Sequence, residues 1–154
     1  MKRILFICHG NICRSPMAEF ILKDMVHRSG RDQEFHIESA AVSTEEIGND
    51  LYPPAKRKLA EKDVPFTHHA ARQITRADYD RFDLIICMDE SNLRWLARII
   101  PSDPEHKIRL MMSFAEDSAS RGSVRSVADP WYTGDFETTY QDLIHACSGL
   151  LKVL

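Results

Sequence analysis

The sequence has no long hydrophobic run and no long run of basic residues. The apolar segment near its start covers only residues 4–8, which is too short for a membrane span or for the core of a signal peptide. No basic stretch exceeds Lys56-Arg57-Lys58, and the formal net charge is −3, which argues against nucleic acid as the main partner. We therefore expect a cytoplasmic protein that binds neither membrane nor nucleic acid.

Cysteine is scarce and shows no pattern of a metal or disulfide site. The four cysteines, at positions 8, 13, 87 and 147, have neither zinc-ligand spacing nor the pairing of a disulfide framework. We expect reduced thiols and no metal or cofactor. The 154 residues are 44% hydrophobic and 28% charged, as in ordinary globular proteins, which predicts a single domain over residues 1–154.

The rest of the chain is organised around residues 4–16, which have the pattern of a strand, a loop and a helix. A strand-like apolar run ends at Cys8, and Arg14 follows after five residues. This spacing alone is weak evidence. However, a loop between a buried strand and a helix N-terminus points its backbone N–H groups inward and forms an anion site with the helix dipole. Ser15 is predicted to cap the helix, with Pro16 at its first position.

The loop residues suit a bound phosphate group. Gly10 and Asn11 are the residue types that most readily adopt positive φ, which lets successive amides converge. Arg14 adds a planar fork that matches two oxygens of a phosphate-like dianion. Taken alone, Cys8 is better explained as a small apolar residue at the end of a buried strand. Among these neighbours its ionised form is favoured, which predicts a nucleophile aimed at phosphorus.

Strand and helix patterns alternate along the chain. The predicted strands cover residues 2–8, 35–40, 83–88 and 107–112, the predicted helices cover residues 16–28, 53–62, about 90–100 and 136–154, and a loop is predicted over residues 114–129. This order implies parallel pairing, right-handed crossovers and a three-layer α/β sandwich. Ligands of such sheets bind beyond the carboxyl ends of the strands, which is where Cys8 lies.

The loop sequence Cys-His-Gly-Asn-Ile-Cys-Arg-Ser-Pro, residues 8–16, resembles the phosphate-binding loop of the low-molecular-weight protein tyrosine phosphatases. Further stretches agree, at residues 39–41, 47–49, 71–75, 87–93 and 129–132. The resemblance covers essentially the whole chain. It implies a flavodoxin-like phosphotyrosine phosphatase I fold, with a four-stranded parallel sheet in the order 2-1-3-4. It also implies a hydrolase that acts on phosphomonoesters through a cysteinyl-phosphate intermediate.

Such a mechanism needs an acid that protonates the leaving group and later activates water. From the residues alone, the Asp-Pro-Trp-Tyr stretch at 129–132 is better explained as a turn with surface aromatics. The resemblance assigns the role to Asp129, together with Cys8 and Arg14 as catalytic residues. It also implies that the phosphate group is bound by consecutive loop residues, which are His9, Gly10, Asn11, Ile12, Cys13, Arg14 and Ser15.

Supporting roles follow from the resemblance alone. His69 matches a histidine that hydrogen-bonds the loop asparagine, Asn11, although the adjacent His68 leaves the register open by one residue and a polar surface position suits either. Ser15 matches a hydroxyl that hydrogen-bonds the thiolate. Asp89 matches a buried aspartate that orients this network, and a helix cap explains it equally well.

Cys13 matches a loop cysteine that traps an oxidised nucleophile as a reversible disulfide. From the spacing alone, a small buried residue under the loop is equally consistent. Cys87 and Cys147 lie in apolar segments and are predicted to belong to the core.

The predicted cleft walls depart from those of the mammalian members. Glu45 stands where they carry an aromatic residue, so peptide preference cannot be carried over. Tyr52, Trp131 and Tyr132 are predicted to supply the walls, and Glu45 at the rim would repel acidic sequences or attract basic ones.

Three other functions compete. Thioredoxin-coupled arsenate reductases share the fold but need two further cysteines near the third strand, where only Cys87 lies. Protein arginine phosphatases carry a small threonine in place of Ile12, whose branched side chain favours a flat phenyl ring. A non-catalytic phosphopeptide-binding module would need neither Cys8 nor Asp129. We therefore expect phosphotyrosine proteins or aryl phosphates as substrates, phosphate-like oxyanions as inhibitors, and a monomer or weak dimer.

Overall fold

A four-stranded parallel sheet forms the centre of the computed structural model, which describes residues 1–115 and 124–154. The strands are β1 (Lys2–Cys8), β2 (Phe35–Ala41), β3 (Leu84–Cys87) and β4 (Ile108–Leu110). Their order across the sheet is β2-β1-β3-β4. The predicted sheet and its strand order are confirmed.

Six α-helices surround the sheet in the described ranges. They are α1 (Arg14–Arg28), α2 (Pro53–Glu61), α3 (Arg76–Arg81), α4 (Glu90–Leu96), α5 (Pro130–Thr133) and α6 (Phe136–Val153). Hydrophobic periodicity did not predict α3 and α5, because six and four residues are too few to show a helical period. In the part of the chain that is described, no helix is both long and apolar enough to cross a bilayer.

Two predicted segments differ from the structure near the fourth strand. The strand predicted over residues 107–112 ends at Leu110, because residues Met111–Phe114 turn into a 3₁₀ helix. The loop predicted over residues 114–129 lies partly outside the described residues, and its described part ends in the cap of α5.

The core has two layers because alternate residues of β1 point to opposite faces of the sheet. Ile4 and Phe6 pack with α1, α2 and α6 in one cluster. Leu5 and Ile7 pack with Leu96 of α4 and with residues around α3 in the other. Cys147 is fully buried in the first cluster and Cys87 in the second. The three-layer sandwich and the core position of these two cysteines are therefore confirmed.

Helix α1 begins earlier than predicted and without the predicted cap. It starts at Arg14, with Cys13 at the N-cap position and no side-chain capping bond. Ser15 lies inside the first turn, and its hydroxyl oxygen is 3.0 Å from the sulfur of Cys8. The predicted cap is wrong because the curled loop offers Ser15 a partner seven residues earlier in the chain, which local capping rules do not consider.

Helix α6 lies directly on the backbone of the segment that follows β4. A Cβ atom added at Gly149 would lie 1.8 Å from the carbonyl oxygen of Phe114 and 2.9 Å from its carbonyl carbon. Only glycine allows this approach, because backbone atoms cannot move aside as a flexible side chain can.

We expect Gly149→Ala to destabilise the protein by about 1–3 kcal/mol, because the helix must shift away from Phe114. The sign of the change in unfolding free energy is informative, because in an exposed helix alanine is more stable than glycine by about 1 kcal/mol. Urea unfolding of both forms would measure the difference, with Ser148→Ala, an exposed change in the same helix, as the neutral control. An unfolding midpoint for Gly149→Ala equal to or above that of wild type would contradict the close contact.

Candidate active site

A cleft lies over the loop that joins β1 to α1, at the carboxyl edge of the sheet. Its volume is about 320 Å³. It is lined by Cys8, His9, Gly10, Ile12, Cys13, Arg14, Glu45, Glu46, Asp129, Trp131 and Tyr132. The structure therefore brings together most of the residues that were predicted from distant parts of the chain, at the edge where parallel sheets bind ligands.

Asn11 determines the shape of the loop backbone. Its φ is 61°, the left-handed conformation that asparagine tolerates better than other residues with a side chain. Gly10 was predicted to share this conformation, but it does not adopt positive φ. Its missing Cβ instead leaves room for Glu46, whose Cγ would lie 3.2 Å from a Cβ at Gly10.

The Asn11 side chain has all its hydrogen-bonding groups engaged. Its Nδ2 donates to the hydroxyl oxygens of Ser15 and Ser39, both at 2.9 Å. Its Oδ1 accepts from the backbone N–H of Arg72 at 3.2 Å. Asn11 and Ser15 are both fully buried and do not line the cleft. Their place among the phosphate-binding residues stays a prediction, and the structure shows that their side chains lie beneath the loop.

Two donors point at the sulfur of Cys8. The Ser15 oxygen accepts a bond from Asn11 and lies 3.0 Å from the Cys8 sulfur, so its hydroxyl can donate to an ionised sulfur. The backbone N–H of Asn11 donates to the same sulfur at 3.2 Å. Hydrogen bonds of this kind stabilise negative charge on the sulfur more than they stabilise a neutral thiol.

The guanidinium of Arg14 is buried beside two carboxylates. Its Nη1 donates to Asp89 Oδ2 at 2.9 Å and to the carbonyl oxygen of Val127 at 3.1 Å, and its Nη2 donates to Asp129 Oδ2 at 3.3 Å. Burial alone would lower the pKa of Arg14, but the charges of Cys8, Asp129 and Asp89 outweigh it and raise that pKa. Arg14 is thus a permanent positive charge on the cleft floor.

The two carboxylates beside Arg14 each begin a helix. Asp89 caps α4 by accepting the backbone N–H of Asn92 at 2.8 Å. It therefore fills both roles that the sequence left open, because its other oxygen binds Arg14. Asp129 caps α5 by accepting the N–H of Trp131 at 3.1 Å and lines the cleft.

His69, not His68, contacts the loop. Its Nε2 lies 2.7 Å from the backbone carbonyl oxygen of Asn11, whereas His68 is exposed and lies near Asp50. The backbone N–H of His69 donates to Asp50 Oδ1 at 3.0 Å. The register that the resemblance left open is thereby resolved.

Sequence reasoning missed a second group of supporting residues. Ser39 donates to Glu19 Oε1 at 2.6 Å, and Glu19 pairs with Lys23 through its other oxygen, so the contacts of Asn11 continue into α1. Ser39 and Arg72 lie in stretches that carry the resemblance. Glu19 had only a weak signal, an acidic residue amid the apolar positions of a helix.

Cys13 is a buried thiol on the same loop as Cys8. Both Cys8 and Cys13 are free. Burial raises the pKa of Cys13 to about 12, and the negative charge of Cys8 acts in the same direction.

The cleft walls partly differ from the prediction. Trp131 and Tyr132 line the cleft with exposures of 54% and 85%, and Glu45 lines it as expected. Tyr52 does not line it. Its ring packs against Trp131 at a centroid distance of 5.0 Å, because the start of α2 places it behind that side chain. Within residues 1–115 and 124–154, no cluster of three or more His, Cys, Asp or Glu side chains is arranged to hold a metal ion.

The parallel sheet in this order, with Cys8 and Arg14 on the loop that follows β1, matches the class of α/β phosphatases that the sequence resembles. A family model described as low molecular weight phosphotyrosine protein phosphatase matches residues 3–154. The protein of that name from Gallus gallus is 38% identical, over 99% of this chain and 95% of its own length. This chain belongs to the low molecular weight phosphotyrosine protein phosphatase family.

Solved structures show the same relationship. The crystal structure of YfkJ from Bacillus subtilis has a TM-score of 0.92 and 35% sequence identity, covering 99% of this chain and 94% of that one. The structure of DARP, a Drosophila arginine phosphatase, has a TM-score of 0.85 and 30% identity, covering 99% and 97%. The fold is therefore shared with proteins whose names give different phosphorylated residues.

Proposed function

We propose that this protein is a phosphotyrosine-protein phosphatase that hydrolyses phosphomonoesters through a cysteinyl phosphate on Cys8. The observation that carries the proposal is the convergence of two hydrogen-bond donors on the Cys8 sulfur at the floor of a cleft that also holds Arg14. The proposal includes one catalytic domain, a cytoplasmic location where thiols stay reduced, and a monomer or weak dimer as the working form.

In the first step, the substrate phosphate would bind to the loop N–H groups and to Arg14. The Cys8 sulfur would attack phosphorus as the bond to the tyrosine oxygen breaks. Asp129, which takes up a proton from water when the phosphate displaces it from Arg14, would give that proton to the departing phenolate. The Asp129 oxygen that pairs with Arg14 lies at 3.3 Å, and a phosphate dianion that competes for the guanidinium would release it for this role.

In the second step, Asp129 would take a proton from water as the water oxygen attacks phosphorus. The sulfur–phosphorus bond would break, and inorganic phosphate and the Cys8 thiolate would be the products. The Ser15 hydroxyl, 3.0 Å from the sulfur, would stabilise the leaving thiolate. Cys13 would protect Cys8 after a peroxide has oxidised the Cys8 thiolate to a neutral sulfenic acid, a change that removes one of the charges raising the pKa of Cys13. The Cys13 sulfur would then attack the Cys8 sulfur, forming the disulfide and releasing the sulfenic oxygen as water.

We expect Cys8→Ser to lower kcat/KM for an aryl phosphate by about 10⁴-fold or more, with activity of the wild type unaffected by excess chelator. Orthophosphate and vanadate should compete with the substrate, since both resemble the bound group. Stopped-flow release of the phenol would measure the first step, and circular dichroism would check the fold of the variant. Loss of activity in chelator, or retention of activity by Cys8→Ser, would reject covalent catalysis at Cys8.

Asp129→Ala should slow phosphotyrosine hydrolysis by about 10²- to 10⁴-fold, the usual contribution of a positioned acid. The loss should be far smaller for 2,4-dinitrophenyl phosphate, because its acidic phenol leaves without a proton. Steady-state kinetics on both substrates would test this, with Asp129→Asn as the variant that keeps the cap of α5. Equal losses on the two substrates would assign the acid role to another residue.

An arginine phosphatase is the second candidate, because the DARP structure shares this fold. Ile12 lines the cleft and is almost buried, and its branched side chain narrows the floor. A contact that only excludes one shape contributes about 1–3 kcal/mol, so Ile12→Thr should raise phosphoarginine hydrolysis by about 10- to 200-fold relative to phosphotyrosine.

Ile12→Val is the matched variant for this test, because it removes bulk without adding a hydroxyl. Both variants should shift kcat/KM towards phosphoarginine peptides if bulk is the cause. A wild type that already prefers phosphoarginine, or an unchanged ratio in both variants, would overturn the tyrosine assignment while leaving the phosphatase chemistry in place.

A further inference from the structure

The cleft has two chemically different walls. Trp131 and Tyr132 form an exposed aromatic wall. The other wall carries ionisable side chains, which are His9, Glu45 and Glu46. A substrate residue beside the phosphotyrosine can therefore meet both aromatic rings and charged side chains.

His9 is held in a fixed position on the charged wall. Its backbone carbonyl accepts bonds from the N–H and the hydroxyl of Ser43, at 3.1 and 2.9 Å. Its Nε2 lies 2.6 Å from Glu45 Oε2, and its ring meets the edge of Trp95 with a centroid distance of 5.3 Å. The imidazole thus links the phosphate-binding loop to Glu45 while staying partly open to solvent, with 37% of its side chain exposed.

The charge of this wall depends on the protonation of His9. Glu45 pairs with His9, and Glu46 accepts only a neutral amide bond, from Asn49 Nδ2 at 2.6 Å. With His9 protonated, these three side chains carry a net charge of about −1, and with His9 neutral they carry about −2.

The other charged groups around His9 do not change in the same way. The guanidinium of Arg98 lies 4.9 Å from the centre of the Trp95 ring, and it stays charged when His9 loses its proton. Arg14, Cys8 and Asp129 belong to the phosphate site itself, so they act equally on every phosphotyrosine substrate.

We propose that His9 is a specificity-determining residue whose pairing with Glu45 makes the enzyme's preference for a basic residue beside phosphotyrosine increase with pH. This inference rests on the proposed phosphatase function. Histidine is the side chain whose charge normally changes between about pH 5 and 8. As His9 loses its proton, the carboxylates of the wall lose a compensating charge and attract a substrate lysine more strongly.

The experiment compares two phosphotyrosine peptides that differ only in lysine or glutamine beside the phosphotyrosine. The quantity measured is the ratio of their kcat/KM values at pH 5.5 and pH 8, since a ratio cancels the titration of catalytic groups and phosphate. Exposed charge pairs change free energies by about 0.2–1 kcal/mol, so the lysine-to-glutamine ratio in wild type should rise by about 2- to 5-fold over this range. High salt should reduce the rise.

Three variants make the test specific. His9→Gln keeps a hydrogen-bond donor but no charge, and its ratio should be high and nearly independent of pH. Glu45→Gln removes one carboxylate, so its ratio should be lower at both pH values. His36→Gln is the matched control, because His36 forms a similar exposed pair with Glu38 at 2.5 Å away from the cleft, and it should behave as wild type.

A pH-independent ratio in wild type, or an undiminished rise in His9→Gln, would overturn the inference even if hydrolysis is fast. If His9→Gln is inactive, an unchanged ratio in Glu45→Gln would overturn it instead. Absence of any Cys8-dependent hydrolysis of either peptide would reject the proposed function itself, and the two failures are therefore distinguishable.

Discussion

The left-handed backbone of Asn11 is the constraint on which the site depends. Because φ is 61° there, its backbone N–H turns towards the Cys8 sulfur while its carbonyl turns towards His69. The side chain then donates one amide proton to Ser15 and the other to Ser39, which holds the Ser15 hydroxyl within hydrogen-bond distance of the Cys8 sulfur. One backbone conformation thus fixes the donors around the nucleophile before any substrate arrives, and preorganised donors of this kind cost no rearrangement during the reaction.

Arg14 adds a second constraint, an electrostatic one. A buried guanidinium is costly unless acceptors surround it, and here two carboxylates and a carbonyl oxygen do so. The same contacts hold its plane at the cleft floor. The two carboxylates that pair with the guanidinium also begin helices α4 and α5, so the fold itself holds this positive charge where a phosphate dianion would bind.

Much of the fold was predictable because its signals are local. Short stretches of sequence are enough to recognise the apolar run of β1, the alternation of strands and helices, and the loop between Cys8 and Arg14. Ser15 shows where this fails: local rules make it a helix cap, whereas the curl of the loop gives it to Cys8. The supporting role of Glu19 was missed, and Tyr52 was predicted to line the cleft, for the same reason. The partners of these residues, Ser39 and Trp131, are far away in the chain.

The residues proposed for the reaction lie close together in the sequence, whereas those proposed for specificity lie far apart. Residues 8–15 supply the proposed nucleophile, the proposed anion site and the buried hydroxyl of Ser15 from one continuous segment, so the proposed chemistry follows from a short motif. The walls come from residues 45–46, which follow β2, and from residues 129–132, which follow β4 in the chain. The second segment reaches the cleft because the backbone N–H of Val127 donates to the carbonyl oxygen of Met88, just after β3, at 3.0 Å. Among these wall residues, Asp129 pairs with Arg14 and Glu45 pairs with His9, whereas the exposed rings of Trp131 and Tyr132 line the cleft. The reaction can therefore be inferred from the short motif, whereas the choice of protein substrate depends on wall residues that lie outside that motif.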